Sequence, residues 1–529
     1  MCDIESYIYM PLLEETGHIP TQKYTSGKEL REHADRIAKK WGLDKAAWFG
    51  QRIISVHWDE TNKEWLTQLE PQYGKDRTPV TIRSRFAILS TGFTLVPRIP
   101  EIPGLEKFEK PCFHTARWDY NITGGSHEVP DLVKLKNKRV GILGTGATAV
   151  QVVPALVPWV KELYVFQRTP SSVDRRDNQL TDAEWAREAF SKPGWQKQRA
   201  ENFTAFVHDF PKKPDVNLVN DGWTRMPTYS ALAGTPKAEC RTPEEIQKHV
   251  EYLYALDLPR QESIRGRVDE VVTDPITAAK LKPWYPSWCK RPCFHDEYLN
   301  AFNSAHVKLI DTDGRSVKEI TKDGLVIDDI EHKVDILILS TGYQSPVLYS
   351  PPGRVGIDVK GRNGISFDKK WGNAVTTLHG MMSHNFPNLF WPGLNQSGGG
   401  PNFVTCIDAS AIHIAQIIAL AAKRQPAAIS NVAHPDSYRY NFLVEATAAG
   451  EEEWAQRIVS QAGAFAATAG CTPSYFNAEG QLLRDASPEE QLSRARAALW
   501  AKGPLDFVEF LTDWRAGEKL EGLEITPIC

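Results

Sequence analysis

The segment Lys138-Arg139-Val140-Gly141-Ile142-Leu143-Gly144-Thr145-Gly146-Ala147-Thr148-Ala149 constrains this chain more than any other, because few folds accommodate it. A short apolar strand ends at Gly144, a tight turn follows, and a helix begins near Gly146, which is the opening step of a dinucleotide-binding sheet. Gly144 makes the turn, Gly146 lets the backbone approach a pyrophosphate, and Ala149 lets the helix pack closely. Thr145, Ala147, Thr148, Val150 and Gln151 complete this candidate site, where the helix N-terminus would face the anion.

The next strand, Leu163 to Gln167, is followed by Arg168 and Thr169 rather than by an acid. An acid would select a free ribose 2'-hydroxyl, whereas an arginine accommodates a 2'-phosphate, so NADPH is expected in preference to NADH.

A chain of 529 residues is too long for one core and suits about two to four domains. Its 41% hydrophobic and 24% charged residues are those of a folded protein. A net charge of -4 leaves no electrostatic footprint for nucleic acid or an anionic membrane, so small-molecule partners are favoured. The 8 cysteines show no regular spacing and no CxxC pair. They read as free thiols in a reducing, cytoplasmic setting, with Cys289 and Cys293 as packing residues and no metal site. Asp3 and Glu5 interrupt any signal-like run. The apolar stretch from Ile407 to Ala422 carries Asp408, His413 and Gln416, and reads as a buried amphipathic helix rather than a membrane span.

Residues 50 to 95 alternate with period two and predict a β-meander, closing on the apolar run Phe86 to Gly92 as a buried strand. A similar run, Val334 to Gly342, ends in the same Ser-Thr-Gly turn, which suggests a duplicated nucleotide-domain plan. Residues 176 to 282 lack strand periodicity and read as a helical insertion, with capping signals at Thr181/Glu184 and Thr242-Pro243-Glu244-Glu245. A helix near 404 to 423 and a capped one from Ser487 follow.

Phe108, His114, Trp118 and Asp119 have the spacing F-x-G-x-x-x-H-x-x-x-W-[PD], with Lys110 in place of the glycine. With Cys2-Asp3-Ile4-Glu5-Ser6, Phe166-Gln167-Arg168-Thr169-Pro170, Lys290-Arg291-Pro292 and Gly470-Cys471-Thr472-Pro473, the chain resembles the Baeyer-Villiger monooxygenases, class B flavoproteins, over essentially its whole length. The resemblance to fungal pathway members implies FAD and NADPH as cofactors and O2 as co-substrate. It also implies a ketone substrate, of terpenoid or meroterpenoid type, converted to an ester or lactone. Such a site must hold a developing anion beside the flavin and keep water away. The resemblance makes Arg291 the catalytic cation, with Asp3 positioning it, Tyr9 contacting the flavin, and Lys290 joining Arg168 and Thr169 on the 2'-phosphate. His114 is expected to be structural or hinge-like rather than catalytic. Gly398-Gly399-Gly400-Pro401 either aims a helix N-terminus at the flavin ring or forms a flexible loop.

The expected fold is α/β, with two Rossmann-like, doubly wound nucleotide-binding domains and a helical insertion. Residues 1–130 and 343–529 are assigned to the FAD domain, 131–175 and 283–342 to the NADP domain, and 176–282 to the insertion. No second G-x-G-x-x-G precedes Asp3, so the FAD domain reads as N-terminally incomplete. Two alternatives therefore stand beside the main reading: a related flavin enzyme oxygenating N or S, and a truncated, non-oxygenating cyclase, isomerase or binding protein.

Overall fold

The computed structural model describes residues 3–74, 77–347, 349–424 and 441–528. The fingerprint strand Arg139–Leu143 is central in a five-stranded parallel sheet. The order is Val307–Asp311, Glu162–Gln167, Arg139–Leu143, Ile336–Leu339, Cys112–His114. The inner strands Arg139–Leu143 and Ile336–Leu339 are nearly continuous apolar runs because both sheet faces are covered there. Val140, Ile142, Leu163, Val165, Ile336 and Ile338 pack against Ala149, Val150 and Val153 of the helix Ala147–Leu156. Leu143, Phe166, Leu337 and Leu339 point the other way, onto Ile320, Leu325 and Ile327. Those three belong to a small antiparallel sheet, Glu319–Ile320, Gly324–Ile327 and Ile330–Lys333. The edge strand Cys112–His114 lies ahead of residue 131, where the sequence put the start of this domain.

The meander forms as expected from Gln51–Asp59, Glu64–Pro71 and Val80–Ser84, and Asp358–Lys360 adds a parallel strand. The run after it does not form the expected buried strand. Only Ala87–Ile88 is extended, pairing with Leu389–Phe390, and Ile88 is 55% exposed. With one ladder partner among the described residues, this strand meets solvent where Ile336–Leu339 has neighbours on both edges.

The insertion is helical, with Ala183–Ala189, Trp195–Val207, Pro243–Val271 and Pro275–Leu281 as its main elements. Capping boxes form at Thr242/Glu245 and Ser487/Glu490. The expected Thr181 cap does not. Asp182 caps instead, accepting from Trp185 N, because an ionised acceptor suits a helix N-terminus better. The Thr181 hydroxyl is taken by Pro20 O and Tyr7.

Helix Phe403–Lys423 is long and apolar enough by composition to cross a membrane. It is not the buried helix expected. His413, Ile414, Ile417 and Ala421 are buried, while Ile407, Asp408, Ile412 and Gln416 are exposed.

The free-thiol reading fails at one pair. Cys289 and Cys471 form a disulfide with Cα atoms 5.0 Å apart, joining segments 182 residues distant in sequence. Spacing carries no trace of a pairing that only tertiary folding creates. Cys293 is a buried free thiol.

The segment carrying Asp3 is anchored by a buried ion pair. Arg199 Nε donates to Glu5 Oε2 at 2.6 Å and Nη2 to Oε1 at 2.7 Å, with side-chain exposures of 9% and 1%. Burial raises the Glu5 carboxyl while Arg199 opposes that shift. Removing one partner strands a charge. Arg199→Ala should lower unfolding stability by about 3 to 5 kcal/mol, and Glu5→Gln with Arg199→Met should recover most of it, as read by denaturant melts.

Acid should also destabilise the fold through buried histidines. Burial pushes His208 down to about 4 and His379 down to about 3. The unfolded chain, with histidines near about 6.5, binds more protons below that pH, so stability falls on acidification by about 1.4 kcal/mol per pH unit per group. The loss should begin near about pH 6.5 and flatten for His208 near about 4. A urea midpoint equal at pH 7.5 and pH 5 would contradict this.

Candidate active site

Two places bring together the residues singled out above. The first is the fingerprint turn. Gly144 has φ +108°, and a Cβ there would lie 2.4 Å from Ser340 O, so only glycine fits. Gly146 caps the helix Ala147–Leu156 and has open space where a Cβ would be, the cradle a pyrophosphate requires. Thr145 Oγ1 donates to Thr169 O at 2.9 Å, and the Ser171 hydroxyl donates to Thr145 O, tying the turn to the end of the next strand. Thr148 is exposed, and Gln151 Nε2 donates back to Ala147 O at 3.1 Å. Ala149 and Val150 point into the core and support the turn rather than face its open side.

Arg168 and Lys290 converge beside this turn. Arg168 Nη2 lies 3.0 Å from Glu479 Oε2, and Lys290 Nζ donates to Pro473 O at 2.9 Å. Burial, reinforced by the Arg168 charge, pulls the Lys290 ammonium down to about 8. Lys290 also stands over the Tyr285 ring at 5.6 Å. Sequence reasoning missed Arg98 and Glu479. Arg98 Nη1 lies 2.9 Å from Glu479 Oε1, and no local pattern marks either residue.

The second place is the arginine loop. Arg291 Nε donates to Asp3 Oδ2 at 3.0 Å and Nη2 to Oδ1 at 2.7 Å, a bidentate pair across 288 residues. Cys2 lies outside the described residues. Burial works against the guanidinium charge, but the Asp3 charge and hydrogen bonds hold its pKa well above the usual range. Trp223 fixes the pair from one side, donating Nε1–H to Asp3 O at 2.8 Å and lying 5.3 Å beneath the guanidinium. Tyr229 and Tyr475 are near enough to feel both charges, and burial pushes the Tyr229 phenol up to about 12. Tyr9 is partly buried at the end of the turn Ser6–Tyr9, against the core cluster that holds Trp223, Tyr229 and Trp288.

Next to Tyr229 opens a small cleft, lined by Thr204, His208, Gly400, Asn402, Cys406 and Phe507. His208 Nδ1 donates to Gly234 O at 3.2 Å, which leaves Nε2 a buried acceptor without a protein partner. Asn402 Nδ2 donates to Ile8 O at 3.1 Å, and its Oδ1 is likewise unpartnered. Gly398 to Gly400 pack against Phe507, Leu499 and His208, so they are a packed wall rather than a loose loop.

His114 is buried at the end of the edge strand, its Nδ1 accepting from Ala116 N at 3.0 Å while burial lowers its pKa. A neutral ring in that position caps a turn. Lys110 has no left-handed backbone and reaches Asp323 at 3.2 Å, so the glycine of the resemblance is not needed there.

No family model matches the chain. It is 45% identical over 534 residues to the polycyclic ketone monooxygenase of Thermothelomyces thermophilus, covering 99% of this chain and 80% of that protein. It is 43% identical over 535 residues to the FAD-binding monooxygenase ausC of Aspergillus calidoustus, covering 99% and 77%. The solved structure of the polycyclic ketone monooxygenase from Thermothelomyces thermophila superposes with a TM-score of 0.93 at 44% identity, over 99% of this chain and 81% of that one. With nearly its whole length aligned at this identity and in this fold, the chain belongs to the Baeyer-Villiger family of FAD-binding monooxygenases.

Proposed function

We propose that the chain is an FAD- and NADPH-dependent monooxygenase that inserts one oxygen atom of O2 beside a ketone carbonyl, giving an ester or lactone. A polycyclic ketone of terpenoid or meroterpenoid type is the substrate class we favour. The bidentate Asp3–Arg291 pair carries this reading. The monooxygenase relatives argue against the non-oxygenating alternative.

The residues present fit both cofactors. For the nicotinamide nucleotide, the open space at Gly146 suits the pyrophosphate, and Arg168, Thr169 and Lys290 would take the 2'-phosphate. For the flavin, Asp3 and Tyr9 would flank the ring, and the orphaned Oδ1 of Asn402 suits a polar group there. When bound, the two cofactors supply the reducing electrons and the site of O2 activation.

The chain's own contribution is electrostatic. Arg291 offers a permanent positive charge to an anion developing during oxygen transfer. Asp3 fixes the guanidinium plane, so that little reorganisation is needed as that anion forms. Trp223, Tyr229 and Tyr475 surround the pair and limit water. The Tyr229 phenol stays protonated near neutral pH and can donate a hydrogen bond. The cleft beside it is mostly apolar, which suits the hydrocarbon part of a ligand.

We place the protein in the cytoplasm. The Cys289–Cys471 disulfide is 1% and 8% exposed, shielded from attacking thiols.

Arg291→Ala should retain NADPH oxidation yet lower ester formation by about 100-fold or more, the excess appearing as hydrogen peroxide. Ester yield per NADPH equal to wild type would contradict the role. Filling the cleft with Cys406→Phe should cut kcat/KM for a polycyclic ketone by about tenfold while sparing cyclohexanone, which occupies less of it. A parallel fall for both ketones would place the substrate elsewhere.

A further inference from the structure

A buried aspartate ties together the two segments that flank the arginine site. Asp257 lies within helix Pro243–Val271 and is 0% exposed. Its Oδ1 accepts from Thr228 Oγ1 at 2.9 Å, and its Oδ2 accepts from Ser287 N at 2.8 Å and from Gln261 Nε2 at 2.7 Å. These partners are all neutral. Arg260, one turn along the same helix, donates instead to Asp174 Oδ2 at 3.2 Å and to Gly222 O at 3.1 Å. Aspartate is a poor interior helix former, and burial strips its hydration, so helix stability alone does not account for it.

Two of the three donors belong to the segments that carry the site. Thr228 is buried and immediately precedes Tyr229 in the turn Pro227–Tyr229. Ser287 opens the turn Ser287–Cys289, which runs into Lys290 and Arg291. The first N–H of such a turn has no partner within it, and when buried it needs an acceptor from outside. Asp257 is that acceptor. At the other end of the loop Cys293 N donates to Ser172 O at 2.9 Å, and the Cys289–Cys471 bridge lies between. Arg291 therefore sits on a short loop fixed at both ends, and Asp257 joins one of those ends to the support of Tyr229.

We propose that Asp257 is a positioning residue for oxygen transfer, fixing where Arg291 stands relative to Tyr229 by gripping the turn that leads to one and the residue next to the other. This rests on the reading that Arg291 serves the developing anion. Asp257 acts through those two segments and needs no contact with substrate or cofactor. Its role is geometric. A carboxylate has about four lone-pair sites, enough for all three donors. An asparagine keeps one oxygen for Ser287 N and Gln261 and can turn its amide to the Thr228 hydroxyl, whereas a leucine offers neither. With the guanidinium misplaced, transfer to the ketone slows, and NADPH, a proton and O2 end as NADP+ and hydrogen peroxide.

The test measures ester formed per NADPH consumed, with 2-decalone as the probe ketone, for the FAD-loaded wild type, Asp257→Leu, Asp257→Asn, Thr228→Val and Arg291→Ala. A merely structural role lowers the amount of folded enzyme, which scales both rates together and leaves this ratio unmoved. Asp257→Leu should lower the ratio about tenfold, with hydrogen peroxide making up the difference and the KM for NADPH within about twofold of wild type. Thr228→Val, which removes one of the three donors, should lower it about threefold. Asp257→Asn should recover most of what leucine loses. An unchanged ratio in either Asp257→Leu or Thr228→Val overturns the proposal, and the second variant decides alone if the first does not fold. An asparagine variant as poor as the leucine one also overturns it, because Asp257 would then supply charge rather than placement. Arg291→Ala separates this inference from the reading beneath it. If Arg291→Ala keeps the wild-type ratio, that reading is wrong; if it loses the ratio while the Asp257 and Thr228 variants keep theirs, only the positioning role fails.

Discussion

The pairing of Asp3 with Arg291 is the contact through which the remaining parts of the site acquire meaning. A guanidinium this enclosed would be costly alone, and the carboxylate makes it tenable by bidentate contact. The pair joins residues 288 apart, so it exists only if the chain ends up threaded correctly. Much of the structure serves that threading. The Glu5–Arg199 pair fixes the segment that carries Asp3, Trp223 clamps it from the insertion, and the disulfide through Cys289 holds the loop that carries Arg291.

This arrangement explains why the insertion is built into the site rather than attached to the surface. Trp223 and Tyr229 come from it, and helix Trp195–Val207 supplies Arg199 along with Thr204 of the cleft wall. The parallel sheet contributes differently. It presents the Gly144 turn and the ends of its strands, with Ser340 O close enough to Gly144 to forbid any side chain there. The fingerprint turn is thus set by backbone packing, and the Asp3–Arg291 site by side chains that distant segments bring in.

What the sequence disclosed follows the range of the forces involved. The parallel sheet, the meander and the helical insertion were legible because period and turn chemistry act locally. Thr242 and Ser487 caps were legible for the same reason, while at Thr181 two neighbouring candidates competed and the charged one won. The run Phe86 to Gly92 misled because its composition matched a central strand, whereas exposure depends on neighbours that composition does not name. Arg168 was legible from its place after the second strand, whereas Asp3, Arg291 and Lys290 were reachable only through resemblance, since a lone acid or a Lys-Arg pair is otherwise unremarked surface. Arg98, Glu479, Arg199 and the Cys289–Cys471 bridge were not reachable at all, each being defined by a partner across the fold.

The central claim is that Asp3 acts through Arg291, and a double-mutant cycle addresses it directly. Ester formed per NADPH consumed would be measured for the wild type, Asp3→Asn, Arg291→Lys and the double variant. If the pair works as one unit, the double variant should be no worse than the poorer single one, a strongly non-additive result. Losses that simply multiply would show that the two residues act independently, and would contradict the account.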